Sequence, residues 1–184
     1  MTIDNDNVGQ ATQPRAGLSV PTGRYRLQPE LTTVAFSAKK LGAFTIRGTM
    51  RLESGAFTVA NPLERSALHA VLAADSFSTP MRKRDEHVKS AKLLDVAAYP
   101  RIEFDSTEVT LGPGDTWEVQ GLLAVHGQVA PTVLSIASTS LEGGLLHIRA
   151  AARVNRRQFG VTAARAAASA LIDVQIDAVG TPVR

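Results

Sequence analysis

From Gly23 onward, apolar and polar residues alternate with a period of two, the pattern of strands that bury one face. Val34, Phe36 and Ala38 share one face of an early run, and Phe44, Ile46, Gly48, Met50 and Leu52 share one face of the next. Leu68, Ala70 and Leu72 alternate, as do Ile102 and Phe104, and then Trp117, Val119, Gly121, Leu123 and Val125. Two further runs close the chain. Leu146, Ile148, Ala150, Ala152 and Val154 stand opposite His147, Arg149 and Arg153, and Ile172, Val174 and Ile176 stand opposite Asp173, Gln175 and Asp177.

The runs are separated by turn-forming stretches: "ESG", "ANP", "GPGD", "HGQ" and "EGG". With another run at about 129–140, eight principal strands are expected, joined mostly by short turns. The expected fold class is therefore all-β: an antiparallel meander rolled into an eight-stranded barrel, because closure removes the exposed edges of an open sheet. After Phe104 the apolar phase slips by one and resumes at Val109 and Leu111, which predicts a bulge near residues 106–108.

Residues 80–96 break the alternation. Pro80 suits a first helical position, Asp85 precedes Lys89 by one turn, and Met81 and Val88 fall seven apart on one face. A helical insert over about 81–95 is predicted. Ser90 is placed to cap a following turn that carries Leu93 and Leu94 inward, and Tyr99-Pro100 ends it.

Composition sharpens this picture. At 184 residues the chain suits one domain, with residues 1–22 read as a polar tail and 23–184 as the barrel. Hydrophobic residues make up 44% of the chain but aromatics only 5%, so the barrel interior must be built from small aliphatic groups. Eight strands enclose a lumen that side chains just fill or that admits one slender ligand, and small interior residues favour the second outcome.

The absence of cysteine removes thiol chemistry, disulfides and Cys-based zinc sites. No apolar stretch approaches the roughly 20 residues of a membrane-spanning helix, and the N-terminus has no signal-like apolar core, so a cytoplasmic location is expected. No nucleophile elbow, phosphate loop or dinucleotide motif occurs, and the four histidines lie at no ligand-like spacing. Neither catalytic nor metal-ligating residues are assigned, and no cofactor is expected.

The net charge is +3, and residues 81–92 alone carry +3. This basic segment reads as a solvated face or as a contact for an anionic head group or membrane surface. It lacks the interleaved aromatics that stack bases, so no nucleic-acid partner is expected.

"RDEHVKSAKLLDVAAYPRIEFDSTEV" resembles the YceI-like family of lipid-binding proteins, matching its pattern at Arg84, Asp85, His87, Ser90, Asp95, Tyr99, Pro100, Ile102, Phe104 and Ser106. "VQGLLAVHGQVAPTVL" and "RVNRRQFGV" extend the resemblance, which covers about residues 23–180. It implies a lipocalin-like antiparallel barrel around an extended apolar pore that holds a polyisoprenoid chain, such as an isoprenoid quinone or prenyl compound. It also makes a homodimer plausible, which nothing in the pattern requires.

The sequence departs from the family at Gln28, Leu31 and Thr32, where an acid, a histidine and a serine are usual, leaving only the hydroxyl. Val88 and Leu93 replace bulkier residues, and Gln158 replaces an acid. Candidate ligand contacts are Phe36, Phe44, Ile46, Met50, Leu68 and Leu72 in the first half of the chain. Met81, His87 and Val88 on the insert join Phe104, Trp117, Val119 and Phe159 beyond it. Two other functions fit the pattern less well: an enzyme acting on a lipid or quinone through His87 and Asp85, and a stress-related interaction module with a filled barrel.

Overall fold

The computed structural model of the chain describes residues 20–40, 44–162 and 169–183. Nine strand segments and one α-helix follow in order: β1 (Gly23–Leu27), β2 (Thr33–Lys40), β3 (Phe44–Val59), β4 (Ala67–Ser78), α1 (Arg82–Lys89), β5 (Arg101–Leu111), β6 (Trp117–Val125), β7 (Gln128–Glu142), β8 (Leu145–Asn155) and β9 (Leu171–Pro182). All pairings are antiparallel. Neighbours in sequence pair from β2 through β9, and β9 returns to β2, so the sheet closes into a barrel.

The closed ring has eight positions although nine segments form it. β1 and β2 occupy one position in tandem: both lie between β3 and β9, β1 against Ala56–Val59 and β2 against Phe44–Met50. The short 3-10 turn Pro29–Leu31 separates them, and Pro29 at its start cannot donate to the ladder. The Thr32 hydroxyl accepts from the Val179 amide at 3.2 Å, and Gln28 Nε2 donates to Thr181 Oγ1 at 2.7 Å, which fastens the break to β9. At the departures from the family pattern, then, Gln28 as well as Thr32 keeps a polar contact, while Leu31 is exposed.

Turn chemistry sets the hairpins. His126-Gly127 joins β6 to β7 with φ of 51° and 70°, and Gly143-Gly144 joins β7 to β8 with φ of 58° and 80°. Two successive positive φ angles match the right-handed twist of the flanking strands. The expected irregularity in β5 is present: the β5–β6 register shifts between Ser106 and Glu108, which returns Val109 to the inside. Leu111, the next residue in phase, ends β5 opposite Trp117 and is exposed.

The insert is shorter than the 81–95 helix expected from the sequence. α1 ends at Lys89 because Ser90 turns extended and both its amide and its hydroxyl bond back to the His87 carbonyl, at 3.3 and 2.7 Å. A compact turn follows, with Leu94 N to Val88 O at 2.9 Å and Asp95 N to Ser90 O at 2.9 Å, and it buries Leu93 and Leu94 as expected. Tyr99 then lies over Gly127 and meets His126 edge-on at 5.0 Å, pinning the insert to the β6–β7 turn before Pro100 starts the return strand.

Two apolar clusters lie toward the ends of the barrel. At the helix end, Phe77, Leu93, Leu94, Phe159 and Val161 pack together. At the other end, Tyr25, Val59, Trp117 and Leu146 do so, joined by Val20. Val20, three residues ahead of β1 and the first of the described residues, already packs against the barrel, and the Pro21 carbonyl accepts from the Tyr25 hydroxyl at 2.8 Å.

The outer wall carries cross-strand pairs: Arg153–Asp173 at 2.7 Å, Arg149–Asp177 at 3.2 Å and Arg101–Glu53 at 2.7 Å. The Arg101 guanidinium holds the Glu53 carboxyl below its usual range.

Candidate functional site: an apolar barrel lumen

Between the two end clusters runs a cavity of about 370 Å³, within the range of small-molecule pockets. Its walls come from every position of the barrel. Along β9 the inward residues are Ile172, Val174, Ile176 and Ala178, about 20 Å of strand at roughly 3.3 Å per residue. With the strand tilt of a closed barrel, that gives roughly 15 Å of axial length. The space is long and narrow.

The lumen stays open for two reasons that begin in the sequence. Small residues stand where larger ones would meet across the barrel: Ala38, Ala70, Ala150, Ala152 and Ala178 all face it. Several aromatic rings of the wall also lie against glycines of other strands. Phe36 covers its cross-strand partner Gly48, Phe104 covers Gly121, and Phe57 covers Gly180. Stacking adds to this at either end, with Phe36 on Phe77 and Tyr25 on Phe57, each at 4.8 Å between centroids.

Polar groups at the wall are mostly engaged with the barrel itself. Arg156 donates from Nε to the Ser169 carbonyl at 3.0 Å and from Nη1 to the Val161 carbonyl at 2.5 Å, so its aliphatic stem lines the cavity. Burial pushes its guanidinium below the ordinary value, with Arg157 acting in the same direction. Arg84 likewise donates from Nε to Thr79 Oγ1 at 3.0 Å. The Thr139 hydroxyl is the exception among the described residues: it is buried at the cavity wall without a hydrogen-bond partner.

Of the thirteen residues singled out from the sequence, the structure places ten on this wall. They are Phe36, Ile46, Met50, Leu68, Leu72 and Val88, together with Phe104, Trp117, Val119 and Phe159. Phe44, Met81 and His87 are not among them. Phe44 has the inward parity of Ile46 but sits at the first residue of β3, beyond the rim, and is 67% exposed. Met81 precedes the helix as its N-cap with an extended backbone and is 56% exposed, so it does not share a helical face with Val88. His87 is exposed, and only its carbonyl is used, by Ser90.

Asp85 faces away from His87. Its carboxylate accepts from the Thr79 amide at 3.0 Å and from the Thr79 hydroxyl, tying α1 to the end of β4. Partial burial raises its pKa, but the bonds from Thr79 and the nearby Arg84 and Lys89 outweigh this, and the net shift is downward. Among the described residues, no group of three histidine, aspartate or glutamate side chains is arranged to hold a metal ion.

Phe77 is a wall residue that the alternation did not reveal. It lies out of phase with Leu72 because β4 advances five positions from Ala73 to Ser78 where β3 advances two from Arg51 to Thr49. The signal is a register shift, which exists only once two strands are paired.

At the helix end a shallow depression outside the barrel is formed by Lys40, Phe44, Thr45, Arg47 and Pro80. Ile46 and Arg84 line both this depression and the lumen, so the two adjoin between the β2–β3 end and α1.

A closed antiparallel barrel with an apolar lumen and a helical insert at one end is a lipocalin-like barrel. More specifically, the chain belongs to the YceI-like family, whose domain model matches residues 25–180. A UPF0312 protein of Pseudomonas savastanoi pv. phaseolicola is 37% identical over 103 residues, 55% of this chain and 53% of that protein. The match thus spans about half the length of this relative.

Solved structures share the fold at low identity. BcnA of Burkholderia cenocepacia superposes with a TM-score of 0.74 at 13% identity, over 84% of this chain and 99% of BcnA. A polyisoprenoid binding domain from Saccharophagus degradans, implicated in plant cell wall breakdown, gives 0.67 at 14% identity, over 86% and 98%.

Proposed function

We propose that the chain binds a long, slender apolar lipid of the isoprenoid type inside the barrel and carries or sequesters it without chemical change. The carrying observation is the lumen: a narrow cavity of about 370 Å³ walled by small aliphatic side chains and by rings laid against glycines. Each CH₂ moved from water into such a wall contributes about 0.8 kcal/mol. A few five-carbon units therefore supply ample gross affinity before ordering costs are subtracted. The polyisoprenoid binding domain of Saccharophagus degradans, which shares the fold, supports this class of ligand.

The geometry favours binding over catalysis. Asp85 is held by Thr79, while His87 faces solvent on another side of α1 and away from the lumen wall. The ten wall residues named above are the proposed ligand contacts.

Native mass spectrometry of the purified protein, followed by solvent extraction, tests the reading. A co-purifying apolar chain lipid is expected, or uptake of an added isoprenoid alcohol. Ala150→Trp should fold yet lose the lipid, because the indole occupies the lumen. In a solid barrel the same change would instead overpack the core and cost about 1–3 kcal/mol. A wild-type protein that neither carries nor takes up such a lipid overturns the proposal.

A further inference from the structure

The helix end differs from the rest of the surface in charge. Residues 39–40, 44–47 and 80–92, which include every residue lining the depression beside the lumen, hold eight lysines and arginines against Asp85 and Glu86, a net of +6. The whole chain is +3, so all remaining residues together sum to −3. The positive excess of the chain is therefore carried by these segments.

The two acids there are already engaged, Glu86 with Arg82 at 2.8 Å and Asp85 with Thr79. Among the described residues Lys40, Lys83, Lys89 and Lys92 form no ion pair, whereas Arg101, Arg149 and Arg153 on the outer wall are each matched by a carboxylate. Exposed apolar side chains sit among these free cations: Phe44 at 67% and Met81 at 56% exposure. Phe44 lines the depression directly, and Met81 follows Pro80, which also lines it.

We propose that this face docks on an anionic lipid bilayer, with Phe44 and Met81 entering the interfacial region and the surrounding lysines and arginines meeting the headgroups. Cations attract the surface and a few apolar side chains hold the contact, a combination in which either element alone is weak. A nucleic acid would satisfy the charge but not the exposed apolar pair. The depression adjoins the lumen through Ile46 and Arg84, so docking here would let an apolar chain pass between bilayer and barrel without crossing water. This last step rests on the lipid-binding reading; the docking itself does not.

Co-sedimentation with large unilamellar vesicles tests it. Wild-type protein is expected to bind vesicles of phosphatidylcholine mixed with phosphatidylglycerol, to bind phosphatidylcholine alone far more weakly, and to be released by salt. The charge reversal Lys40→Glu with Lys83→Glu should weaken binding by at least about tenfold. The pair Phe44→Ser with Met81→Ser should also weaken it, with circular dichroism confirming that both variants fold.

Equal binding to both vesicle types, no binding to either, or binding unchanged by both variant pairs overturns the proposal. So does tighter binding to a fluorescent single-stranded oligonucleotide than to the anionic vesicles. Ala150→Trp separates the two readings. It should keep vesicle binding while losing lumen lipid, and a wild-type protein that docks but carries no lipid leaves this inference standing and removes the one about the lumen.

Discussion

The ring of Phe36 lies on Gly48, its directly paired neighbour across β2 and β3, so closely that a Cβ on Gly48 would collide with it. Phe104 likewise lies on Gly121, its diagonal neighbour across β5 and β6. Each pair parks an aromatic ring along the wall, so that the ring contributes burial without spanning the lumen. Glycine here is required by the space above it and not by a positive φ, because Gly48 is absent from the residues with left-handed backbone.

Gly48→Ala should therefore push the Phe36 ring inward and destabilise the barrel by about 1–3 kcal/mol, read from chemical denaturation. Pairing it with Phe36→Leu should recover only the part of the loss that the ring causes, since the added methyl also meets the Ser78 carbonyl oxygen. Additive losses in the double variant would show that the ring is not what Gly48 makes room for.

Asp85 is the acid whose ionisation the fold uses most visibly. Its carboxyl is depressed below the ordinary value of 3.8 by the bonds from Thr79, despite partial burial. A depressed acid stabilises the fold fully above its unfolded pKa, and the contribution fades as pH falls through the folded value. The wild-type protein should thus lose this increment below about pH 4. Asp85→Asn should lose about 1 kcal/mol at neutral pH, discounted for solvent exposure, and show a flatter acid limb. Urea midpoints measured between pH 3 and 7 compare the two; parallel curves would mean that the clasp contributes nothing.

Thr139 offers a prediction of the opposite sign. Its hydroxyl is buried without a partner, so Thr139→Val, which keeps the shape and removes the polar group, should stabilise the ligand-free protein by about 1 kcal/mol. If a bound lipid presents a polar group at this point, the same change should weaken binding. Thermal melts of the delipidated protein, run beside a binding titration, read both effects. A loss of stability would mean that the hydroxyl is satisfied in solution.

Much of this molecule is legible along the chain. Period-two alternation marks the strands and their inward faces from Val34 to Ile176, and the phase slip after Phe104 locates the β5 bulge, because a strand's side-chain period is two whatever its neighbours do. Scarce aromatics and abundant alanine on those faces already indicate an interior that its own side chains do not fill. "RDEHVKSAKLLDVAAYPRIEF" marks the insert, and the buried Leu93 and Leu94 follow from its pattern.

Pairing and depth were decided only in three dimensions. Phe44 has the right parity but the wrong depth, since alternation says which side a residue faces and not whether the barrel extends far enough to cover it. Phe77 reaches the wall through a register shift between β3 and β4 that neither strand shows alone. Helical spacing likewise put Met81 with Val88, but the extended backbone of Met81 leaves it outside the helix as its exposed N-cap. Sequence periodicity is a one-dimensional record of facing. Where the wall ends, which ring lies on which glycine, and which mouth gathers the charge depend on residues far apart in the chain that meet only when the sheet closes.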